Sequence, residues 1–235
     1  MFQESMFNTE PMFGSSVFVE DFLPIVREQR KVTQDPILLV GAGGHARACI
    51  DVIEQEGHFV VKGLVGFHKE VGSAILNNPV LGTDEDLSTL LGHCSSAIIA
   101  VGQIKTPDPR IRLFNLLQQS GCVFPTIVSP QAYVSPHASL EAGTIVMHGA
   151  VINAGAVVGK NCIINSQSLV EHDVVIADHC HIATAATINS GVCIGTGTFI
   201  GSNSSVKQGV SIGDRCVIGM GQQVLANCKT GICMP

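Results

Sequence analysis

The chain has 235 residues, enough for one or two domains, and its 46% hydrophobic and 14% charged content describes a globular protein whose sparsely charged surface favours self-association. A net charge of −6 excludes phosphate-backbone binding as a main function, because nucleic-acid binders carry basic patches. Nine cysteines are scattered without C-x-x-C pairs, no apolar run reaches the length of a membrane span, and no N-terminal stretch joins a basic segment to an apolar one. A cytoplasmic protein without a membrane span is therefore expected.

Residues 1–35 carry three Met-Phe pairs (Met1-Phe2, Met6-Phe7 and Met12-Phe13) among polar residues and Pro. They read as an N-terminal extension, expected to be mobile or docked on a neighbouring surface. Residues 36–127 read as a βαβ domain. The apolar run Ile37 to Val40, a Gly-rich turn, the helical Ala46 to Gln55 and the apolar run Phe59 to Val65 give strand, turn, helix and strand. The turn Gly41-Ala42-Gly43-Gly44-His45-Ala46 fits the G-x-G-x-x-G/A pattern of a dinucleotide-binding loop. An NAD enzyme needs an acid for the ribose at the end of the second strand, and this chain reads Gly63-Leu64-Val65-Gly66-Phe67-His68, with no acid until Glu70. The segment is also short for a two-lobed dinucleotide fold, so NAD is rejected and a nucleotide-phosphate site is kept.

From residue 134 the pattern changes. An aliphatic residue recurs every sixth position from Val134, Leu140, Val146 and Ile152 through Ile188 to Val224, sixteen hexads without a slip. Four residues after each stands a mostly small side chain, as at Ala138, Thr144, Ala150, Ser168 and Ala186. A period of six fits neither a helix stripe nor alternating hairpins; it marks a hexapeptide β-helix, here of about five coils at three hexads per coil. The aliphatic residues point inward, and Cys162, Cys180, Cys216 and Cys228, all at small positions, read as space-fillers and not as nucleophiles or metal ligands. With 25 glycines and 5% aromatic residues, a thin core of small and β-branched side chains is expected.

The GAGGHA turn, a "PVLGTDEDL" element (Pro79 to Leu87), the strand "AIIAVGQ" (Ala97 to Gln103) and the hexads around "VEHDVVIADHCHI" (Val170 to Ile182) together resemble the sugar O- and N-acetyltransferases. These include sialic acid O-acetyltransferase-like proteins and the nucleotide-amino-sugar N-acetyltransferases. The resemblance covers residues 36 to about 228 and implies an α/β Rossmann-like half domain followed, over residues 128–235, by a left-handed parallel β-helix. It also implies acetyl-CoA as cosubstrate, with neither NAD nor metal. On the resemblance, Gly43, Gly44 and His45 hold the phosphates or sugar of a nucleotide-sugar substrate with Gly82 nearby, helix N-terminal N–H groups supplying donors. His172 falls on the general base and Asp173 on its orienting acid; His181 falls on a position against acetyl-CoA and Asn165 on a polar active-site position. Ser202 and Met220, with Gly201 and Gly219 beside them, line the pantetheine groove. His137, His148 and His179 read as ordinary solvated side chains.

His172 and His181 are nine residues apart, half of an eighteen-residue coil, so on one prism they lie on different sides. Two prisms must pack side by side to bring them to one substrate, and a C3 homotrimer with intersubunit sites does so with equivalent interfaces. The expected activity is N-acetylation of a nucleotide-linked amino-deoxysugar of the 4-amino-4,6-dideoxyhexose type for surface glycan synthesis. Alternatives are O-acetylation of sialic acid or a related sugar, and a noncatalytic nucleotide-sugar-binding scaffold. Relatives commonly end in a GxPA-like element, whereas this chain ends CKTGICMP.

Overall fold

The computed structural model describes residues 34–234, so all but the last two residues of the N-terminal extension lie outside the described residues. β1 (Asp35–Val40), α1 (Gly44–Glu56) and β2 (Phe59–Val65) follow the expected order. Helix α1 starts after Gly43, whose extended backbone forms the cap, and stops at Gly57, where φ of 82° lets its N–H reach Ile53 O. Its buried residues, Ala46, Cys49, Ile50 and Ile53, recur at helical spacing and make one apolar face.

The hairpin of β3 (Ala74–Ile75) and β4 (Asn78–Gly82), then α2 (Leu87–Leu91), β5 (Ala97–Ile99) and α3 (Asp108–Gln119) complete the α/β part. The sheet order is β3-β4-β2-β1-β5, parallel except for the β3–β4 pair. β1 has β2 on one side and β5 on the other, so the chain leaves it in one direction and later returns on its opposite edge. That reversal opens a crevice at the carboxyl ends of the strands. The strand expected to run from Ala97 to Gln103 ends at Ile99, because the Arg110 guanidinium takes the carbonyls of Ile99 and Val101 at 3.1 and 2.7 Å.

From Ile127 onward, two-residue strands recur every six residues and stack in three parallel sheets, the faces of a left-handed β-helix. Partners are eighteen residues apart, as in Ile163↔His181 and Val170↔Ile188. The ladder begins at Val128, one hexad before Val134. Every aliphatic rung from Val146 to Val224 is at most 3% exposed, whereas Val134 and Leu140, in the first coil with one neighbour only, are half-buried. At each corner from Gly143 to Gly221 one residue adopts a left-handed backbone. Asn161, Gln167, Asp173, His179 and Ala185 do so without being glycine, and coil-to-coil hydrogen bonds such as Asp173 N–H to Ala154 O offset that cost.

Cys162, Cys180 and Cys216 are fully buried fillers, as expected. Cys228 is a correction. It pairs with Ile212, sixteen residues back, and so stands on the inward ladder in place of an aliphatic residue, because the final coil is two residues shorter than the others. Gly201 is also re-read. It is buried, and a Cβ there would come within 2.5 Å of the Gly219 backbone one coil above, so its small size serves coil stacking and not the approach of a ligand.

The seven-stranded face carries the α/β part: Ile127, Ile145, Met147 and Ile163 share a core with Ile50, Ile53 and Ile98. Replacing the inward Ile188, which is 0% exposed, by Asp should lower stability by on the order of 4 kcal/mol or more, since an unpaired charge would sit between coils. Lys160→Ala, at an exposed corner, should melt within a degree or two of the parent in a thermal scan. Equal melting of Ile188→Asp and the parent would contradict the ladder register.

Candidate active site

A cleft of about 1030 Å³ opens at the carboxyl ends of β1, β2 and β5, the crevice that the strand order predicts. Gly43, Gly44 and His45 line it at the N-terminus of α1, and no side chain caps that terminus. A Cβ on Gly43 or Gly44 would meet nothing within 4 Å, so the open side of the turn faces the cleft. Gly41 is tied to the fold: with φ of 125°, any Cβ would strike Ala100 and Val101 at 2.8 Å. Gly82 does not line the cleft. Its missing side chain makes room for Asp86, whose carboxylate accepts hydrogen bonds from Thr83, and it is Thr83 that reaches the wall. The far wall carries the Arg112–Asp84 ion pair at 2.6 Å, with Phe67, His68 and Glu70 beside it.

His45 joins the cleft to the solenoid. Its ring centroid lies 6.4 Å from that of His181, which projects from the seven-stranded face. His181 is buried, and its partners fix its tautomer: Nδ1 donates to Gln103 O at 2.7 Å, leaving Nε2 to accept from Asn165 Nδ2 at 3.2 Å. Phe199 packs edge-on against the same ring. Burial, and next the Arg110 cation, hold His181 at a pKa of about 4; burial, Arg110 and His181 hold His45 at about 3. Both rings are therefore neutral near pH 7, able to donate from one nitrogen and accept at the other.

Arg110 is fully buried at this junction and has no carboxylate partner. It donates to the carbonyls of Ile99, Val101 and Asn161 and to Asn161 Oδ1, which ties α3 to a solenoid corner. Gln103 Nε2 adds a bond to Gly197 O. Among the described residues, the buried side-chain polar atoms without a partner are His45 Nε2, Gln103 Oε1 and Arg110 Nε, all at this junction. Gln103 and Arg110 went unassigned in the sequence, because an Arg in "KTPDPRIR" reads as a solvated helix residue.

His172 and Asp173 lie elsewhere on the prism, at the corner between the six-stranded and five-stranded faces, opposite the face that carries His181. Both side chains are exposed, and His172 Nδ1 meets Asp173 Oδ2 at 2.9 Å. The left-handed backbone of Asp173 turns the chain at this corner. Asn165, Ser202, Gly219 and Met220 follow a strand of the seven-stranded face and share the next corner, with Met220 75% exposed. One chain thus joins His45, Asn165 and His181 and keeps His172 apart. Of the three histidines expected to be solvated, His137 is exposed, but His148 and His179 are structural links: His148 bridges Ser129 and Asp51, and His179 bonds Asn161 and packs edge-on against Phe114.

A left-handed hexapeptide solenoid bearing an exposed His–Asp pair, joined to an α/β part with a cleft at the switch point of its sheet, defines a hexapeptide-repeat acyltransferase. The PglD N-terminal domain family matches residues 36–115, and the hexapeptide repeat of succinyl-transferase matches residues 191–226. Perosamine N-acetyltransferase from Caulobacter crescentus, solved with CoA and GDP-perosamine, is 29% identical over 84% of this chain and 92% of that one, with a TM-score of 0.80. The acetyltransferase domain of PglB from Neisseria gonorrhoeae, solved with acetyl coenzyme A, and WeeI from Acinetobacter baumannii share the fold. They are 24% and 21% identical, cover 85% and 84% of this chain and 95% of their own, and have TM-scores of 0.78 and 0.75. No curated protein sequence matches. The chain is an acetyltransferase, and over most of its length it is similar to the sugar acetyltransferases.

The two depressed histidines make stability depend on pH in a definite direction. Both titrate near 6.5 when unfolded but at about 4 and 3 when folded, so as pH falls the unfolded chain takes up protons first and the folded state loses ground. Between about pH 7.5 and about pH 5, each ring should cost about 2 kcal/mol, read as a shift of the urea midpoint. His181→Gln should remove its share of that loss; an unchanged pH slope in the variant would refute the assignment.

Proposed function

We propose that the protein transfers the acetyl group of acetyl-CoA to the amine of a nucleotide-linked amino-deoxysugar, of the 4-amino-4,6-dideoxyhexose type, in surface glycan synthesis. The observation that carries this reading is the likeness, over most of both chains, to an enzyme whose structure holds CoA and GDP-perosamine. The cleft supports it: a nucleoside diphosphate fits a wall of bare helix N–H groups at Gly43 and Gly44, and the sugar then points toward His45 and the solenoid. The exposed corner from Asn165 past Ser202 to Met220 offers a path for the pantetheine arm.

In this reading the sugar amine attacks the thioester carbon directly. His172 takes the amine proton as the new N–C bond forms, the C–S bond breaks, and the CoA sulfur leaves as the thiol once protonated. Asp173 orients the imidazole through the 2.9 Å bond. No acyl-enzyme is needed, since the amine attacks the thioester itself, and Cys162, Cys180 and Cys216 are buried fillers. Because His172 sits across the prism from the cleft of its own chain, the base at each cleft comes from a second copy. A trimer with three such sites satisfies this for every chain.

With nucleotide-linked 4-amino-sugars, the corresponding amino-free sugars and sialic acids as acceptors, thiol release should be confined to the amino-sugars; turnover of hydroxyl acceptors alone would sink the reading. His172→Ala should lower kcat by about two to four orders of magnitude while CoA binding stays near the parental level. Asp173→Asn should cost less. Mixing inactive His172→Ala and His181→Ala chains should restore part of the activity, because some mixed interfaces carry both rings. Verified mixed assemblies without any recovery would argue against a shared site.

A further inference from the structure

The end of β2 holds an arrangement that the transfer chemistry does not use. Phe67 follows β2 directly, lines the cleft, and is 74% exposed. An aromatic ring open on a cleft wall offers a flat apolar face that a planar ligand group can cover. Its position is not left to chance. The Phe67 N–H donates to Glu70 Oε2 at 2.8 Å, and Glu70 N–H returns a bond to Phe67 O at 2.8 Å. Gly66 packs so closely that a Cβ would lie 2.8 Å from Ala42 of the Gly-rich turn and 2.7 Å from Glu70 Oε2. The loop that carries the ring is therefore pinned beside the turn that faces the cleft.

The same geometry removes the usual partner of a ribose. An acid at the end of the second strand would receive the ribose hydroxyls, but here the nearest acid, Glu70, has an oxygen committed to the backbone of Phe67. What the strand end presents instead is a flat apolar ring.

We propose that Phe67 is the base-stacking platform of the cleft, covering one face of the planar heterocycle of a nucleoside diphosphate whose phosphates lie at the Gly43–Gly44 turn. The inference rests on the nucleotide-linked substrate proposed above. Stacking is tolerant of the heterocycle, since every base offers a π-face, so the platform accepts pyrimidine and purine alike.

The test is calorimetric titration of the full chain, without CoA, with UDP and separately with GDP. Phe67→Ala should weaken binding of whichever diphosphate the parent binds by about 5- to 100-fold, Phe67→Leu should lose most of the same affinity, and Phe67→Tyr should keep it. The exposed position means that all three variants should melt with the parent. If the parent binds a diphosphate and Phe67→Ala or Phe67→Leu binds it equally well, the platform is overturned while the nucleotide reading stands. If the parent binds neither diphosphate, the nucleotide-linked substrate itself is refuted, and the platform with it.

Discussion

Everything in this molecule hangs on the vertical alignment of residues eighteen apart. Each inward aliphatic rests on its counterpart one coil below, and the backbone of each coil hydrogen-bonds to the next, as from Val157 N to Val174 O and from Ile163 N to Cys180 O. Alignment is what turns a core of Val, Ile, Ala and Cys into a continuous rod, since one coil alone could not bury its own apolar edge. The same requirement explains the buried glycines: Gly159, Gly195 and Gly201 each stand where a Cβ would meet the backbone of the coil above. It also explains why the left-handed corners tolerate Asn, Asp and His, whose backbone N–H groups are taken by the coil beneath.

A rigid rod distributes chemistry by angle. Residues eighteen apart share a face, so Ile145, Ile163, His181 and Phe199 present one surface to the α/β part, while residues nine apart point to opposite sides. The junction on that surface holds an uncommon electrostatic arrangement. Among the described residues Arg110 is buried without a carboxylate, donates mainly to carbonyls with its Nε left unpartnered, and its field adds to burial in keeping His45 and His181 uncharged. A neutral, tautomer-locked His181 presents the same hydrogen-bonding face across the physiological range, which suits a residue that orients a group and does not exchange protons. His172 stands solvated at the opposite corner beside the Asp173 carboxylate.

The α/β part contributes the other half of the logic. Its switch point between β2 and β5 creates the cleft, and the Gly-rich turn, Gly66 and Gly82 allow the loops around it to close to van der Waals contact. Its docking against the rod is built from apolar contacts of α1 near the first coils and polar bonds of α3 and Gln103 further up, among them Arg215 to Asp108 at 2.7 Å. His45, on the cleft wall, is the residue that brings the cleft to within 6.4 Å, ring to ring, of His181 on the solenoid.

The period of six was wholly legible in the sequence, because inward rungs and small corner residues are local requirements that each hexad meets by itself; strand, turn and helix around Gly41 to Val65 were legible for the same reason. The shortened final coil escaped, since Cys228 looks equally at home as a small residue or as a rung, and only pairing with Ile212 decides between them. Gly82 and Gly201 looked like ligand positions because a glycine's reason for being small lies in whatever packs against it, Asp86 in one case and Gly219 in the other. His45, Gln103, Asn165, Arg110 and His181 span more than a hundred residues, and nothing in their local sequence couples them. The separation of His172 from His181 followed from their nine-residue spacing, but the meeting of His181 with the other residues and the loss of charge on both imidazoles were decided by tertiary structure alone, because burial and the field of a neighbouring cation are properties of where segments dock and not of the residues that compose them.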